Sequence, residues 1–90
     1  MSQASELMQL IQQLQQISEE TKRIAQSLQQ YKQKFTEQSQ KVQAQIGGSD
    51  TERRVVETLN AAGGSIDQTV VTLTQAAQAC EDISARLPQF

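Results

Sequence analysis

The feature that most constrains this chain is a repeat of apolar side chains about every 3.5 residues, unbroken by glycine or proline from Met1 to Ile46. A strand would alternate every two residues, whereas a repeat of about 3.5 residues is typical of helices that pack in coiled coils. The sequence therefore predicts one long helix over about 3–46, with Ser2 or Ser5 as its N-terminal cap.

The segment Ile46-Gly47-Gly48 is the predicted turn, because glycine readily adopts the positive φ that ends a helix. Ser49 and Glu52 follow with the spacing of a capping box, which marks a new helix N-terminus. We expect the second helix to span about 50–87 and Pro88 to mark its end.

The repeats of the two helices come into register when the chain folds back at this turn. We label the repeating columns a to g, with Leu7 in column a and Leu10 in column d, and expect columns a and d to form the seam between the helices. The register pairs Leu10 with Leu87 and Phe35 with Ala62. The predicted intramolecular seam consists of Leu10, Leu14, Ile17, Ile24, Leu28, Tyr31, Phe35, Val42, Val55, Leu59, Ile66, Leu73, Cys80, Ile83 and Leu87. The predicted fold class is all-α, a two-helix antiparallel coiled-coil hairpin that forms a single domain over 1–90.

Gly63 and Gly64 leave two alternatives open for the second helix. Each glycine inside a helix costs about 1 kcal/mol relative to alanine, and Ser65 with Gln68 has the spacing of a further cap. The apolar repeat keeps its phase across the pair, which favours one continuous helix. A break at the glycine pair is the alternative.

Column e carries small or apolar side chains beside the predicted seam. Two helices alone bury a single stripe and are marginally stable, so we expect a helical partner to cover column e and to complete a four-helix bundle. The residues expected to bind that partner are Ile11, Ala25, Val56, Val70 and Ala77.

The composition excludes most catalytic chemistry. The chain has no His and one Cys, which excludes His-based acid–base catalysis, Cys/His nucleophilic pairs and the usual Cys/His zinc sites. Cys80 falls in column a, where a free thiol is usually an inert packing residue, and a reactive thiol is the alternative. The adjacent Glu81 and Asp82 point in different directions on a helix, so they do not converge as a catalytic pair. The sequence predicts a non-enzymatic protein without metal or cofactor.

Charge and hydropathy argue against nucleic acid and membrane as partners. The formal net charge of −2 is mild, and the basic pairs Lys22-Arg23 and Arg53-Arg54 have acidic neighbours at helical spacing. No window approaches the roughly 18 consecutive apolar residues of a membrane-spanning helix. The stretch from Met1 to Ser18 lacks the basic and apolar regions of a cleavable signal peptide. We therefore expect a cytoplasmic protein, or one exported without a leader.

These features resemble the WXG superfamily, the early-secreted-antigen-like substrates of bacterial type VII secretion. The likeness is carried by the length, the two long helices and the turn Ile46-Gly47-Gly48, where Gly48 matches the family glycine and Ile46 stands in the place of its tryptophan. The small helical partners of LXG toxins are the more similar members. The family often has the motif Tyr-x-x-x-Asp/Glu after the second helix as part of its export signal, but the tail 85–90 has no tyrosine. Some partners of LXG toxins have Phe-x-x-x-Asp, but here Ser39 stands four residues after Phe35, where that motif has its acid. The resemblance thus implies an export signal shared with a partner.

The resemblance implies a hairpin that acts by protein–protein pairing, as a type VII secretion substrate or as a toxin-associated targeting adaptor. Its partner is then either a second copy, which gives a homodimer, or the helical N-terminal domain of a secreted toxin. The chain would be cytoplasmic before export by the leaderless type VII route. A cytosolic structural or scaffolding coiled-coil subunit is the alternative function.

Overall fold

The structure, a computed structural model, describes residues 3–87 and contains two helices. Helix α1 spans Gln3–Ile46 and helix α2 spans Asp50–Arg86. No strand occurs in residues 3–87. The predicted all-α hairpin is confirmed, and both helices begin and end within about one residue of the predicted bounds. The predicted cap at Ser2 and the stop at Pro88 lie outside the described residues.

A short turn joins the helices, and the side chain of Ser49 forms hydrogen bonds with both of them. Gly48 has a φ of 85°, a conformation that side chains with a Cβ atom disfavour. The hydroxyl of Ser49 accepts a 3.0 Å hydrogen bond from the backbone N–H of Glu52 and donates a 2.8 Å bond to the carbonyl of Ile46. One side chain therefore caps the N-terminus of α2 and satisfies a carbonyl in the last turn of α1.

The hairpin divides into two compact units. The terminal unit contains residues 3–25 of α1 and 71–87 of α2, and the turn unit spans Gln26–Val70. The prediction of a single domain over 1–90 stays a prediction.

In the terminal unit the helices meet through small side chains in column e. Ala77 is 0% exposed and Ala25 is 8% exposed. The hydroxyl of Ser18, which is also buried, donates a 3.0 Å hydrogen bond to Oε1 of Glu81 on the other helix. The predicted antiparallel register places Ser18 opposite Ala79, which lies two residues before Glu81. The contact therefore agrees with that register to within about half a helical turn.

The turn unit has the same antiparallel arrangement and an uninterrupted α2. The ammonium of Lys32 lies 2.7 and 2.8 Å from the two carboxylate oxygens of Asp67. Gly63 is buried, and a Cβ atom built on it would lie 3.7 Å from Cγ of Lys32. Helix α2 continues through Gly63 and Gly64, so the continuous helix is the alternative that the structure contains.

The seam runs through columns a and e, so its predicted assignment to columns a and d is wrong for part of the set. The predicted seam residues that are exposed are Leu10, Ile17, Ile24, Tyr31 and Ile83. The predicted seam residues that are half-buried are Leu14, Leu28, Phe35, Val42, Val55, Leu59, Ile66, Leu73, Cys80 and Leu87. Serine, alanine and glycine in column e allow the backbones of the helices to approach closely, which turns column d outward.

Column e, which was predicted to bind a partner, instead lies between the two helices of the hairpin. Ile11, Ala25 and Ala77 are buried, and Val56 and Val70 are half-buried. Each of these side chains lies in the column that faces the other helix of the same chain. The expectation that the hairpin leaves this column partly uncovered is therefore wrong for Ile11, Ala25 and Ala77, whereas Val56 and Val70 stay partly exposed.

Candidate protein-binding face

Large aliphatic side chains are exposed together on one side of the terminal unit. Leu10, Ile17 and Ile24 occupy column d of α1, and Ile83 occupies column d of α2. Ile17 is 49% exposed and Ile24 is 53% exposed. In an antiparallel pair that meets through columns a and e, the two d columns lie on the same side. We call Leu10, Ile17, Ile24 and Ile83 the exposed apolar face.

The regular spacing of these residues distinguishes the exposed apolar face from scattered surface hydrophobics. Successive members on α1 are seven residues apart, so they recur about every 10.5 Å along one side of the helix. Single exposed apolar residues are ordinary on protein surfaces, whereas contiguous apolar surface marks interaction sites. The exposed apolar face is therefore the strongest candidate for a functional site in the terminal unit.

An open cleft lies at the N-terminal end of this face. Gln3, Glu6, Leu7 and Leu10 line it, and its volume is about 380 Å³. Leu7 is half-buried and Leu10 is exposed, so the two leucines supply apolar surface. Gln3 and Glu6 supply polar groups, so the cleft can receive an apolar side chain that carries a polar or cationic group.

In the turn unit, the side chain of Tyr31 lies on the surface with a lysine over its ring. Tyr31 is 54% exposed, and Nζ of Lys34 lies 5.3 Å from the ring centroid. This distance is within the range of a cation–π contact. The expected burial of the tyrosine ring in the seam is therefore wrong, and the ring and the ammonium form one surface feature.

Ion pairs between the helices lie on the opposite side of the seam, in or next to column b. Lys22 is bonded to Glu81 in the terminal unit, and Lys32 is bonded to Asp67 in the turn unit. The hydrogen bonds from Lys22 and Ser18, together with the charge of Lys22, hold the pKa of Glu81 below its ordinary value. Each unit thus has a polar side joined by charged groups, and the terminal unit has an apolar side that no described residue of the chain covers.

The side chains that could do chemistry either make structural contacts or are partly buried. Glu81 contacts Lys22 and Ser18, and Asp82 accepts a 3.0 Å hydrogen bond from the amide of Gln78, so the two carboxylates do not converge. Cys80 is a half-buried free thiol. Among residues 3–87, no three His, Cys, Asp or Glu side chains are placed to hold a metal ion together. Neither helix, over its described length, is apolar enough to cross a membrane.

The apolar repeat contains the residues of the exposed apolar face, but its interpretation through columns a and d places them in the seam. The signal that could have placed them correctly is the contrast between neighbouring columns. Ile17 precedes Ser18, Ile24 precedes Ala25 and Ile83 precedes Ser84, so three of the four large side chains of this face are followed by a small one in column e. Leu10, which precedes Ile11, is the exception. A column of small residues beside a column of large ones indicates close helix packing through the small column.

Comparison of the chain with protein-family models, with curated proteins and with solved structures gave no match. The resemblance to the WXG superfamily stays a prediction. Any function assigned to the chain rests on its own residues and geometry.

Proposed function

We propose that this chain is a non-enzymatic helical hairpin that acts by pairing with another helical protein through its exposed apolar face. In its concrete form, the hairpin is a type VII secretion substrate or the targeting adaptor of a secreted toxin. The observation that carries the proposal is the exposure of Leu10, Ile17, Ile24 and Ile83 on one side of the terminal unit.

The pairing proposal is supported by the apolar surface that these four side chains expose to water. Complete burial of a leucine or isoleucine side chain contributes about 1.5–3 kcal/mol, so covering the exposed half contributes about 1 kcal/mol for each residue. An amphipathic helix laid along the face would contact side chains at helical spacing. Such a helix, or a second hairpin, would complete a bundle of the ordinary kind.

The secretion part of the proposal depends on the turn. Helix α1 ends at Ile46, and Gly48 has positive φ, at the position where the WXG superfamily has its glycine. This geometry is compatible with the role that the resemblance implies for Ile46-Gly47-Gly48. The pairing proposal does not depend on it, because the exposed apolar face lies in the other unit.

The test is the double variant Ile17→Glu/Ile24→Glu in a Gram-positive strain that secretes by the type VII route and co-expresses the helical N-terminal domain of an LXG toxin. We expect the variant to lose co-purification with that domain and to stay in the cells. The variant should remain helical by circular dichroism, because both side chains are about half exposed in the wild-type chain.

The matched control is Gln9→Glu/Gln16→Glu, which adds the same charge to exposed positions on α1. It should pair and be exported like the wild-type chain. If the Ile17→Glu/Ile24→Glu variant still pairs and reaches the medium, the face is not the binding site. If the wild-type chain pairs but is never exported, the scaffolding function is the better account.

A further inference from the structure

We propose that the segment that binds the exposed apolar face is a basic amphipathic helix of a partner protein, with lysine or arginine bordering its apolar stripe on the flank that faces α1. Glu6 and Glu20 of α1 recognise that flank. This inference rests on the proposed function, because it takes the exposed apolar face as a pairing surface and states the chemistry of what pairs with it.

The net negative charge of the chain belongs to the terminal unit. This unit contains five acidic and three basic side chains, whereas the turn unit contains five of each. The ion pair between Lys22 and Glu81 lies on the side away from the exposed apolar face and balances itself. Four acidic side chains then remain against Arg23 and Arg86. A cationic segment is therefore attracted to this unit before any contact forms.

Two acidic side chains border the exposed apolar face along α1, in column g beside column d. Glu6 lies four residues before Leu10. Glu20 lies four residues before Ile24. Side chains at this spacing are neighbours on a helix surface. Both glutamates are exposed, and neither forms an ion pair with another residue of 3–87, so both carboxylates can bind cations of a partner.

The cleft at the end of the face has the chemistry that a lysine side chain requires. Leu7 and Leu10 line it with apolar surface, and Glu6 adds a carboxylate. A lysine can bury its aliphatic stem against apolar groups while its ammonium contacts an acid. The cleft therefore offers one complete contact for a basic residue of the partner.

The border of the face on α2 differs from the border on α1. In the terminal unit, column g of α2 contains Thr72, Ala79 and Arg86, so its one charged residue is basic. A lysine on the flank of the partner that faces α2 would approach Arg86, whereas a lysine on the other flank approaches a glutamate. Charges beside an apolar stripe determine partner and orientation in helix pairs, so we expect the cations on one flank.

The spacing of the glutamates determines the length of the partner segment. Glu6 and Glu20 are fourteen residues apart, about 21 Å along α1. Leu10 and Ile24 are separated by the same distance. A partner helix of about 21 residues that covers the face therefore reaches both glutamates, with its cations two heptads apart.

The experiment measures, by fluorescence anisotropy, the binding of two synthetic helical peptides to the purified chain. Both peptides have about 21 residues with leucine at positions a and d of each heptad, and glutamine on one flank. The other flank carries lysine in the basic peptide and glutamate in the acidic peptide. The wild-type chain should bind the basic peptide roughly tenfold more tightly, and high salt should reduce this difference.

The variant Glu6→Lys/Glu20→Lys should reverse the preference and bind the acidic peptide more tightly. Because both glutamates are exposed, this variant should stay helical by circular dichroism. The matched control is Glu37→Lys/Glu57→Lys, which changes the net charge equally at exposed positions of the turn unit and should keep the wild-type preference. An equal change of preference in the two variants overturns recognition by Glu6 and Glu20.

The neutral variant Ile17→Ser/Ile24→Ser separates this inference from the proposed function. It removes apolar surface without changing the charge, so it should bind both peptides roughly tenfold more weakly than the wild-type chain. If the wild-type chain binds both peptides equally and the serine variant loses both, the basic partner is overturned and pairing through the exposed apolar face stands.

Two other results also count against the inference. If the serine variant binds the basic peptide as tightly as the wild-type chain does, the attraction does not involve Ile17 and Ile24, and both proposals are overturned. If the wild-type chain binds neither peptide, for instance because a second copy covers the face, the basic partner is overturned, and co-purification with the toxin domain still tests the proposed function.

Discussion

The hydroxyl of Ser18 on α1 donates a 3.0 Å hydrogen bond to Oε1 of Glu81 on α2, which lies 63 residues away in the chain. Ser39 occupies the same column e in the turn unit, and its buried hydroxyl oxygen has no hydrogen-bond partner among the described residues. The same side chain is therefore satisfied in one unit and unsatisfied in the other. A buried polar group without a partner lowers stability, whereas a bonded one contributes to it.

The first prediction is that substitution by alanine lowers the stability at Ser18 but not at Ser39. Ser18→Ala should lower the free energy of unfolding, because it removes a hydrogen bond to a carboxylate. Ser39→Ala should leave it unchanged or raise it by about 1 kcal/mol, because it removes an unsatisfied hydroxyl. Urea unfolding followed by circular dichroism measures both. The higher helix propensity of alanine is common to the two variants, so an equal change at both sites would contradict the hydrogen-bond assignment.

The second prediction concerns the loss of folding stability at low pH. Hydrogen bonds from Lys22 and Ser18, and the charge of Lys22, lower the pKa of Glu81 from its ordinary value of 4.5. A carboxyl group with a lowered pKa in the folded state stabilises the fold above its unfolded pKa, and this contribution is lost as the pH falls through the folded pKa. The wild-type chain should therefore lose stability below about pH 4.5 more steeply than Glu81→Gln.

The control for the acid prediction is Asp82→Asn. Asp82 is bonded to Gln78 on its own helix, so this change removes a neighbouring carboxylate without removing a contact between the helices. The stability of Asp82→Asn should retain the wild-type dependence on pH, as measured by thermal unfolding from pH 7 downward. A steep acid loss that persists in Glu81→Gln would show that Glu81 is not its source.

The third prediction tests the close approach of the helices in the terminal unit. Ala77 is 0% exposed, so Ala77→Leu forces a larger side chain between the helices and should cost about 1–3 kcal/mol of stability. Ala61→Leu makes the same substitution at an exposed position of α2 and should change stability by less than about 0.5 kcal/mol. Chemical unfolding distinguishes them, and equal effects would place Ala77 outside the seam.

The fourth prediction concerns the glycines. A Cβ atom at Gly64 would meet nothing within 4 Å, so Gly64→Ala should raise the stability by about 1 kcal/mol through helix propensity and reduced freedom of the unfolded chain. Gly48→Ala should lower it by about 1–2 kcal/mol, because the φ of 85° at this position disfavours a side chain. Differential scanning calorimetry measures both. A loss of stability in Gly64→Ala would indicate that α2 breaks at this point in solution.

The helices were predictable from local signals alone. The absence of glycine and proline over α1, the glycines of the turn and the capping residue Ser49 each act within a few residues of the chain, so the sequence contains all the information needed for the helix bounds. The antiparallel arrangement and its approximate register were also predictable, because the large residues of both helices repeat in one phase around Gly48 and Ser49.

The choice of seam was not predictable from the repeat. Columns a and d follow each other at spacings of three and four residues, and columns a and e at four and three, so both seams repeat about every 3.5 residues. Hydrophobicity favours Ile17 and Ile24 of column d, whereas close backbone approach favours Ser18 and Ala25 of column e. That competition depends on the distance between the helices, which a count of apolar residues does not contain.

The double hydrogen bond of Ser49 has a consequence for the order in which the hairpin folds. Its partners, Ile46 and Glu52, are each three residues away, whereas the Lys32–Asp67 contact closes a loop of 35 residues and the Ser18–Glu81 contact one of 63. The entropy lost on closing a loop increases with its length. Once the turn has formed, each contact shortens the loop that the next must close, so the helices should zip from Ser49 toward the chain ends.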